Sequence, residues 1–434
     1  MAGDGVWTRK IGRMKTPWIA GRLLTPEEFD CYCKQAMRVY RRGGIRLQDY
    51  KEVLLDFPLL MKPGEWPRLA RLAEKLTQEL LTAERELLLR PDLYPLLGLA
   101  PVIERVLHSC GADGRTASGP RIMRFDFYHT TDGWRFSEAN PDTPGGYVEA
   151  YGYTEPMVMY YPGYSPPPNP AAVHAEAIRK SVGKGAQVAV VLAGEDPYGM
   201  RQVEFLMKEI EVRGVRGIIA TIGRLRWGSG VARVVRSSST GTPSLIVRQI
   251  TVEKMLKLTR SSHWAHWFCG RRTPVSNPCY SILIESKRFP CVLKELDAPM
   301  PAYRSHSPES RFPTEISPSS QNQWVFKPAF GVAGRGVAIA GVTRKLAFKA
   351  AAEVSRRHPK DWVAQRRFES IAVPTERGPG HVCLGIYTVD GSAAGAYARI
   401  RGTALIDKHA LSIPVLIPER DLAVAAIRTK TAVS

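Results

Sequence analysis

The chain of 434 residues is 44% hydrophobic and 24% charged, an ordinary composition for a globular protein with substantial cores. Its longest apolar run, AQVAVVLAG, is too short to span a membrane, and its first residues lack the apolar centre of a signal peptide, so we expect a cytoplasmic protein without a membrane partner. Its 61 basic and 41 acidic residues give a net charge of +20, which favours anionic partners. Because the basic residues are scattered and form no compact basic-aromatic motif, a solvated basic surface is the simpler interpretation, and nucleic acid is the less favoured partner.

The cysteines and histidines give little sign of disulfides or of a zinc site. Seven scattered cysteines, an odd number, favour reduced thiols over a disulfide framework. One group has the residue types of a zinc site: His263, His266, Cys269 and Cys279. It lacks a paired Cys-x-x-Cys and is interleaved with tryptophans, which argues against bound zinc.

Residues 1–118 are predicted to form a helical region. The segment TPEEFDCYCKQAMRVYRR begins with a capping threonine and has proline at the first helical position. The segment GEWPRLARLAEKLTQELLTAERELLLR places apolar residues at three- and four-residue steps, which is typical of an amphipathic helix. We expect these helices to pack on the rest of the fold without carrying chemistry.

Residues 124–140, RFDFYHTTDGWRFSEAN, read as a β-hairpin with a tight turn. A two-residue loop at Asp132-Gly133 would send the acidic side chains of the two strands to opposite faces. A three-residue loop, Thr131-Asp132-Gly133, suits the left-handed conformation that glycine adopts in such turns. This second loop is the one that we predict, and it places four polar side chains on one face in two cross-strand pairs: Asp126 with Glu138, and Arg124 with Asn140.

The polar face of this hairpin has the chemistry of a magnesium site. Two carboxylates and an amide oxygen are hard ligands that suit Mg²⁺, and adjacent carboxylates without a cation would repel each other. Arg124 beside them is suited to hold a phosphate or a developing oxyanion. The alternative is a surface hairpin in which Arg124 makes an ordinary ion pair with Asp126 or Glu138.

The middle of the chain alternates strands with a helix. After the proline-rich break YYPGYSPPPNPA, the runs GAQVAVVLAGED and VRGIIATIG read as strands on either side of the helical segment YGMRQVEFLMKEIEVRG, and SLIVRQI as another strand. This alternation indicates a small open α/β unit within residues 161–285.

The last third is strand-rich and contains a glycine loop. WVFKPAFGVAGRGVAIA places Lys327 at the end of an apolar strand, before a loop whose backbone amides could fold over phosphates. The loop lies between two strands rather than before a helix, which argues against the Rossmann and Walker patterns. In AGAYARIRG, Arg399 shares a strand face with Tyr397 and Arg401 and is a candidate phosphate ligand. Gln365, in VAQRRFE, could bond a base or sugar or could be structural.

These motifs resemble a known family. The order Arg-Phe-Asp-Phe and then Glu-x-Asn-x-Asp-Thr-Pro resembles the synthetase domain of glutathionylspermidine synthase and, more broadly, the circularly permuted ATP-grasp ligases. FKPAFGVAGRG and AGAYARIRG fit the family in type and order, and the likeness covers roughly residues 120–415. The metal-binding acids precede the glycine loop here, which is typical of the permuted members. NPCYSILIESKRFPCVL is similar to the segment that carries an upstream nucleotide lysine, here Lys287.

The resemblance implies an α+β fold with an α/β part, namely a circularly permuted ATP-grasp-like fold with an open α/β pre-ATP-grasp unit and an N-terminal helical layer. The implied segments are an N-terminal helical region at 1–118, the metal-binding hairpin at 119–160, the pre-ATP-grasp unit at 161–285, and the nucleotide-binding region at 286–434.

The resemblance also implies a reaction, in which ATP phosphorylates a carboxylate and an amine then attacks to give an amide and ADP. Magnesium would be held by Asp126, Glu138 and Asn140, and Arg124 would steady the acyl phosphate and the tetrahedral intermediate. ATP would be held by a larger set: Lys287, Lys327, Gln365, Arg399, and the loop glycines Gly331, Gly334 and Gly336. The run from Asp142 to Gly146 would lie near the acceptor carboxylate, with Asp142, Thr143 and Gly145 as candidate contacts.

Two other functions stay open at this stage. An ATP-grasp relative that transfers phosphate, or that binds nucleotide without ligation, would share every residue on the phosphate side. A basic nucleic-acid-binding protein with a structural hairpin would instead bind polynucleotides in a strongly salt-dependent way. The leading hypothesis is a ligase acting on a small-molecule or peptide carboxylate and an amine. The sequence identifies neither substrate and does not give the oligomeric state.

Overall fold

The computed structural model describes residues 16–38, 54–110, 119–194, 196–235, 240–255, 264–268 and 271–422. These residues form a mixed α/β fold with several sheets. The α-helices of this part, α1 to α9 in chain order, are Pro26–Arg38, Glu65–Leu87, Pro101–Ser109, Pro170–Val182, Pro197–Val212, Val252–Met255, Ile282–Glu285, Pro301–His306 and Lys345–Arg357. Short 3₁₀ or π turns lie at Pro91–Leu97, Val148–Gly152, Glu155–Tyr160, Ile222–Arg224, Trp264–Trp267, Cys279–Ser281, Phe289–Glu295, Pro313–Glu315, Gln321–Gln323 and Pro359–Asp361.

Two antiparallel sheets form the part of the fold that carries the predicted site. The five-stranded sheet has the order β19 (Leu411–Ile413), β18 (Ser392–Arg401), β17 (His381–Val389), β3 (Ile122–Thr130) and β4 (Gly133–Asn140). The four-stranded sheet has the order β13 (Ser310–Arg311), β16 (Trp362–Arg366), β14 (Trp324–Pro328) and β15 (Ala338–Ile339). The first sheet therefore joins a hairpin from early in the chain to a hairpin from its end.

The other sheets come from the predicted α/β unit and from the two ends of the chain. The parallel sheet has the order β12 (Val275–Ser276), β11 (Leu245–Arg248), β6 (Gln187–Leu192) and β7 (Arg216–Thr221). A three-stranded sheet follows with β10 (Thr240–Gly241), β9 (Val231–Val235) and β8 (Leu225–Gly228). The last sheet has the order β1 (Trp18–Ala20), β2 (Leu59–Met61), β20 (Val415–Pro418) and β5 (Tyr164–Ser165). The N-terminal region thus contributes two short strands as well as helices.

Local sequence signals explain the two long N-terminal helices. Thr25 accepts a hydrogen bond from the Glu28 amide at 3.2 Å and donates its own amide to the Glu28 carboxylate at 2.9 Å, a capping box that fixes the start of α1. Helix α2 buries the apolar stripe that includes Trp66, Leu69 and Leu76. This stripe belongs to the same core as Phe125 and Phe127 on the inner face of β3, so α2 packs against that face of the five-stranded sheet. None of the described helices combines the length and the apolar character needed to cross a membrane.

The cysteines correct one expectation. Cys110 is disulfide-bonded, whereas reduced thiols were expected throughout, because the spacing of cysteines along a chain does not show which of them meet in space. Five described cysteines are free: Cys31, Cys33, Cys279, Cys291 and Cys383. Two residues of the possible zinc-binding group, His263 and Cys269, lie outside the described residues. Cys279 is buried, and its thiol contacts the Met255 sulfur at 3.6 Å.

Candidate active site between the two antiparallel sheets

The β3–β4 hairpin has the predicted cross-strand pairs, but its turn is shorter than predicted and one strand contains a bulge. Arg124 pairs with Asn140 and Asp126 pairs with Glu138, which confirms the register. The prediction of a three-residue loop was wrong, because Thr130 pairs with Gly133 around a two-residue turn. The register then shifts by one residue between the pair Phe127–Phe136 and the pair Asp126–Glu138, which leaves Ser137 as a β-bulge.

The bulge at Ser137 determines which side chains reach the site. If the pairing next to the turn continued without a shift, Asp126 would lie opposite Ser137. Glu138 would then lie opposite Phe125, on the face that packs into the core. The extra residue rotates Glu138 and Asn140 onto the outer face. The sequence carries no strong signal for this bulge, because serine is compatible with either arrangement.

Arg124 and Asp126 form a buried fork-shaped ion pair on this outer face. The Nε and Nη2 atoms of Arg124 donate to the two Asp126 carboxylate oxygens at 2.7 and 3.1 Å. Their side chains are 12% and 4% exposed. The third nitrogen, Nη1, donates to the carbonyl of Gly145 at 2.9 Å. Arg124 is therefore held rigidly, as a residue that orients a reacting group must be.

Glu138 is linked to Lys287 and, through it, to the glycine loop. The Lys287 ammonium lies 3.4 Å from a Glu138 oxygen and donates to the carbonyl of Gly331 at 2.8 Å. Burial alone would raise the pKa of Glu138, but the charges of Lys287 and Lys327 outweigh it and lower that pKa. Burial tends to lower the pKa of Lys287, yet Glu138 and Glu285 leave it raised. Both groups are therefore charged at neutral pH.

Lys327 lies at the end of β14, as predicted, and reaches across to the bulge. Its ammonium donates to the Gln365 side-chain oxygen at 2.7 Å and to the carbonyl of Ser137 at 3.5 Å, and the Gln365 amide donates to the same carbonyl at 3.2 Å. The Ser137 carbonyl at the bulge is thus a hydrogen-bond acceptor that links β4 to β14 and β16 of the second sheet. Burial lowers the pKa of Lys327 to about 8, and the nearby charge of Lys287 acts in the same direction.

The glycine loop between β14 and β15 closes over one side of the site. Gly331, Gly334 and Gly336 all have positive φ angles, of 134°, 68° and 76°. At Gly334 a Cβ atom would lie 2.8 Å from the carbonyl oxygen of Ile406, so the loop approaches the segment after β18 too closely for a side chain. This contact was not foreseen, because residues 403–406 carry no recognisable motif.

Most of these groups share a cavity of about 500 Å³, whereas Arg124 and Gly336 are not part of its lining. It is lined by most of the predicted site residues, namely Asp126, Glu138, Lys287, Lys327, Gly331, Gly334, Gln365 and Arg399. Its further lining includes residues that the motifs did not indicate: Tyr128, Phe330, Arg335, Arg367, Phe368 and the segment 403–406. Arg399 lies opposite Cys383 and Ser412 in the sheet, and its guanidinium makes no hydrogen bond or ion pair with the part of the chain that the structure describes. The lining therefore includes five lysine and arginine side chains: Lys287, Lys327, Arg335, Arg367 and Arg399.

The remaining predicted residues lie outside this cavity lining. Asn140 is on the outer face, and its side-chain nitrogen is 3.5 Å from the Arg124 carbonyl. Asp142 is buried and forms an ion pair with Arg248, while its second oxygen accepts from the Val252 amide at 2.9 Å, so its carboxylate is used structurally. Thr143 is half-buried, and the Gly145 carbonyl accepts bonds from Arg124 and from Tyr387.

The donor set around Asp126 and Glu138 fits a magnesium ion that also binds phosphate. Among the described residues no group of three or more His, Cys, Asp and Glu side chains could enclose a metal by itself. Mg²⁺ commonly takes one or two carboxylates and completes its octahedron with substrate phosphates and water. Two facing carboxylates at the edge of a cationic cavity match that pattern better than a closed protein site.

Together these features define a mixed α/β protein whose cavity, between two antiparallel sheets, combines paired carboxylates, lysines and a glycine loop. A glutathione synthetase-like effector from Globodera pallida has a similar structure, with a TM-score of 0.59 and 11% identity over 90% of this chain and 97% of that chain. A candidate gamma-glutamylcysteine synthetase from Methylobacillus flagellatus KT also matches, with a TM-score of 0.43 and 13% identity over 78% of this chain and 88% of that chain. No family model and no curated protein matches the chain. The first likeness shows a shared fold.

Proposed function

We propose that this protein is an ATP- and magnesium-dependent ligase that joins a carboxylate to an amine through an acyl phosphate, on a circularly permuted ATP-grasp-like fold. The observation that carries the proposal is the convergence of Asp126, Glu138, Lys287 and Lys327 on one cavity beneath a glycine loop. The fold shared with a glutathione synthetase-like protein supports the same class of reaction. The hairpin motif supports an activity similar to that of glutathionylspermidine synthase.

The cavity suits ATP in size and in the distribution of its polar groups. A volume of about 500 Å³ is within the range of small-molecule sites. Its apolar wall of Val325, Phe330 and Ile339 would receive the adenine ring, while Lys287, Lys327 and the glycine loop would receive the phosphates. Arg399, whose guanidinium has no acceptor in the described chain, would add a further cation for the terminal phosphate.

Asp126 and Glu138 would hold magnesium at the edge of the phosphate site, with Asn140 beside them. When bound there, the ion neutralises the charge that develops on the transferred phosphoryl group. Both carboxylates now contact cationic side chains, Arg124 and Lys287. These cations keep the carboxylates ionised and in place, so that little reorganisation is needed on binding.

Arg124 is the proposed catalytic residue. Its guanidinium lies between the metal-binding face and the Gly145 loop, where an acyl phosphate and then a tetrahedral oxyanion would form. Fixed positive charge at that place lowers the barrier by electrostatic stabilisation and alignment, and the reaction needs no protein nucleophile. The substrates are a small-molecule or peptide carboxylate and an amine. Thr143 and Gly145 are proposed contacts of the acyl group, whereas the structural bonds of Asp142 remove it from that set.

The test is to incubate the protein with ATP, Mg²⁺ and a panel of peptides and amines. ADP release is measured together with the mass of any dehydrated conjugate. The proposal predicts ADP and a conjugate for the wild type, and no product for Glu138→Gln or Lys327→Ala. Lys294→Ala is the matched control, because that lysine is 75% exposed and does not line the cavity. A phosphorylated substrate without a conjugate would indicate the phosphotransferase instead, and no consumption of ATP with any substrate pair would contradict the proposal.

A further inference from the structure

A second groove lies between helices α2 and α8, away from the proposed ATP cavity. Its volume is about 590 Å³, and it shares no lining residue with that cavity. Helix α2 packs on the inner face of the five-stranded sheet, whereas Asp126 and Glu138 lie on its outer face. A molecule in the groove would therefore not compete with ATP for the same residues.

Three cations from one face of α2 line this groove. Arg68, Arg71 and Lys75 follow one another at steps of three and four residues, along about 10 Å of the helix surface. All three side chains are exposed. The Arg68 guanidinium lies 3.8 Å from a Glu65 oxygen, and Arg71 and Lys75 make no ion pair or hydrogen bond with the described part of the chain. Because like charges four residues apart destabilise a helix, this row is unfavourable until an anion meets it.

The acidic side chains near this row are engaged elsewhere. Glu79 is the one acidic residue among the described residues that line the groove. Its two oxygens accept from the backbone amides of Ala302 and Tyr303 at 2.8 and 2.7 Å. Glu74 accepts from the amide of Ala393 at 3.0 Å. Neither carboxylate can turn to the cations without giving up these hydrogen bonds, so the groove keeps a surplus of positive charge.

Helix α8 forms the opposite wall of the groove and adds a histidine. The Nδ1 atom of His306 lies 2.9 Å from the Ala302 carbonyl, which orients the ring and leaves Nε2 to meet a ligand. Arg135 donates to the carbonyl of Ser305 at 2.6 Å and so ties the end of α8 to strand β4. Leu72 and Ala302 provide apolar surface between the two walls. The wall that faces the cations is therefore held in place and carries one more group that can bond an anion.

We propose that this groove binds a small molecule that carries a chain of phosphate groups. Guanidinium groups hold phosphate oxygens in pairs and a lysine adds a point charge, so Arg68, Arg71 and Lys75 suit linked phosphates. A single phosphate would meet one or two of these cations, whereas a chain meets the whole row. The volume of about 590 Å³ is within the range of small-molecule sites. This site goes beyond the proposed ligase function and does not depend on it.

The first test is a calorimetric titration with inorganic triphosphate at an ionic strength of about 0.15 M, where weak attraction to exposed charges is screened. Arg71→Ala/Lys75→Ala should bind about tenfold or more weakly than the wild type, as for loss of hydrogen bonds to a charged group. The matched control is Lys180→Ala/Lys184→Ala, which removes two exposed cations outside the groove and should bind as the wild type does. Equal affinities of the two variants, or no binding to the wild type, would overturn the inference.

The second test separates the groove from the ATP cavity, which would also accept triphosphate. The titrations are repeated with Lys327→Ala added to each protein. Binding in the groove should remain in Lys327→Ala, and it should be lost when Arg71 and Lys75 are replaced as well. Loss of all triphosphate binding in Lys327→Ala alone would overturn the inference, because the cavity would then account for it.

Further probes test the class of ligand. Orthophosphate should bind about tenfold or more weakly than triphosphate, because it forgoes hydrogen bonds to part of the row. Citrate, which carries three carboxylates, should also bind more weakly. Citrate affinity equal to that of triphosphate would overturn the assignment to phosphate groups. A short single-stranded oligonucleotide that binds more tightly than triphosphate, and loses affinity in Arg71→Ala/Lys75→Ala, would overturn the assignment to a small molecule.

Discussion

Lys287 and Lys327 differ in pKa because their neighbouring groups differ. Both line the same cavity and both lie near Glu138. Lys287 contacts Glu138 directly, and its pKa is raised, whereas Lys327 is bonded to the neutral Gln365, and burial lowers its pKa to about 8. Lys287 is therefore charged at physiological pH, and Lys327 titrates close to it.

The lowered pKa of Lys327 predicts a pH-dependent affinity for ATP. Below pH 8 its ammonium is charged and attracts phosphate, and above that pH it becomes neutral, so affinity should be retained at pH 7 and fall as the pH rises towards 9. Titration calorimetry of Mg·ATP from about pH 6.5 to about pH 9.5 measures this fall, which a lysine with an ordinary pKa of about 10.4 would not produce over that range. Lys327→Arg should bind with little pH dependence over that range, because arginine keeps its charge. An equally steep fall in Lys327→Arg would show that another group is responsible.

The two carboxylates Asp126 and Glu138 should respond differently to neutralisation of their charge. Asp126→Asn leaves the buried charge of Arg124 uncompensated and should lower the free energy of unfolding by about 3 kcal/mol. Glu138→Gln removes a more exposed partner of Lys287, which keeps its bond to Gly331, and should cost about 1 kcal/mol or less. Chemical denaturation of both variants provides the comparison. Equal losses of stability would contradict the distinct roles assigned to the two carboxylates.

Among the secondary-structure elements, the β3–β4 hairpin has the predicted register although its loop length was predicted wrongly. Period-two alternation and a loop that ends with Gly133 were sufficient to predict that Asp126 faces Glu138. The loop length was wrong by one residue, and the bulge at Ser137 supplies the missing shift. Loop length and bulge position compensate each other, so the hairpin sequence alone does not decide between the two arrangements.

Deleting Ser137 tests the role of the bulge. The deletion removes the extra residue and keeps Glu138 opposite Asp126, but it takes away the carbonyl that Lys327 and Gln365 contact. We expect a folded protein with at least about tenfold weaker binding of Mg·ATP, since a buried lysine and amide lose their common acceptor. Ser137→Ala keeps that carbonyl and should bind as the wild type does. Unchanged affinity in the deletion variant would show that the bulge carries no part of the site.

The glycine loop should be sensitive to a single methyl group. Gly334→Ala puts a Cβ atom 2.8 Å from the Ile406 carbonyl and holds a side chain at a φ of 68°, so the loop must move away from residues 403–406. Gly378→Ala carries a similar strain at a φ of 98° with open space around it. Each change should cost about 1 kcal/mol or more of stability, but only Gly334→Ala should weaken Mg·ATP binding. Equal nucleotide affinities for the two variants would contradict the proposed closure of this loop.

At the scale of the whole molecule, local elements were predictable and their assembly was less so. The helices α1 and α2 and the strands of the α/β unit follow from caps and periodicity. Pairing of β3 with β17, or of β2 with β20, joins residues hundreds of positions apart and leaves no local signal. Arg335, Arg367 and the segment 403–406 line the cavity because the folded chain brings them there, and no motif in the sequence indicated them.

The proposed function requires that the cavity between the two sheets binds ATP together with magnesium. The deciding measurement is a calorimetric titration of ATP into the wild type and Glu138→Gln, with and without Mg²⁺. If the proposed function is right, Mg²⁺ tightens ATP binding to the wild type by about tenfold or more, and Glu138→Gln loses most of this gain. ATP binding that is absent, or equally strong in both proteins with and without the metal, would contradict it.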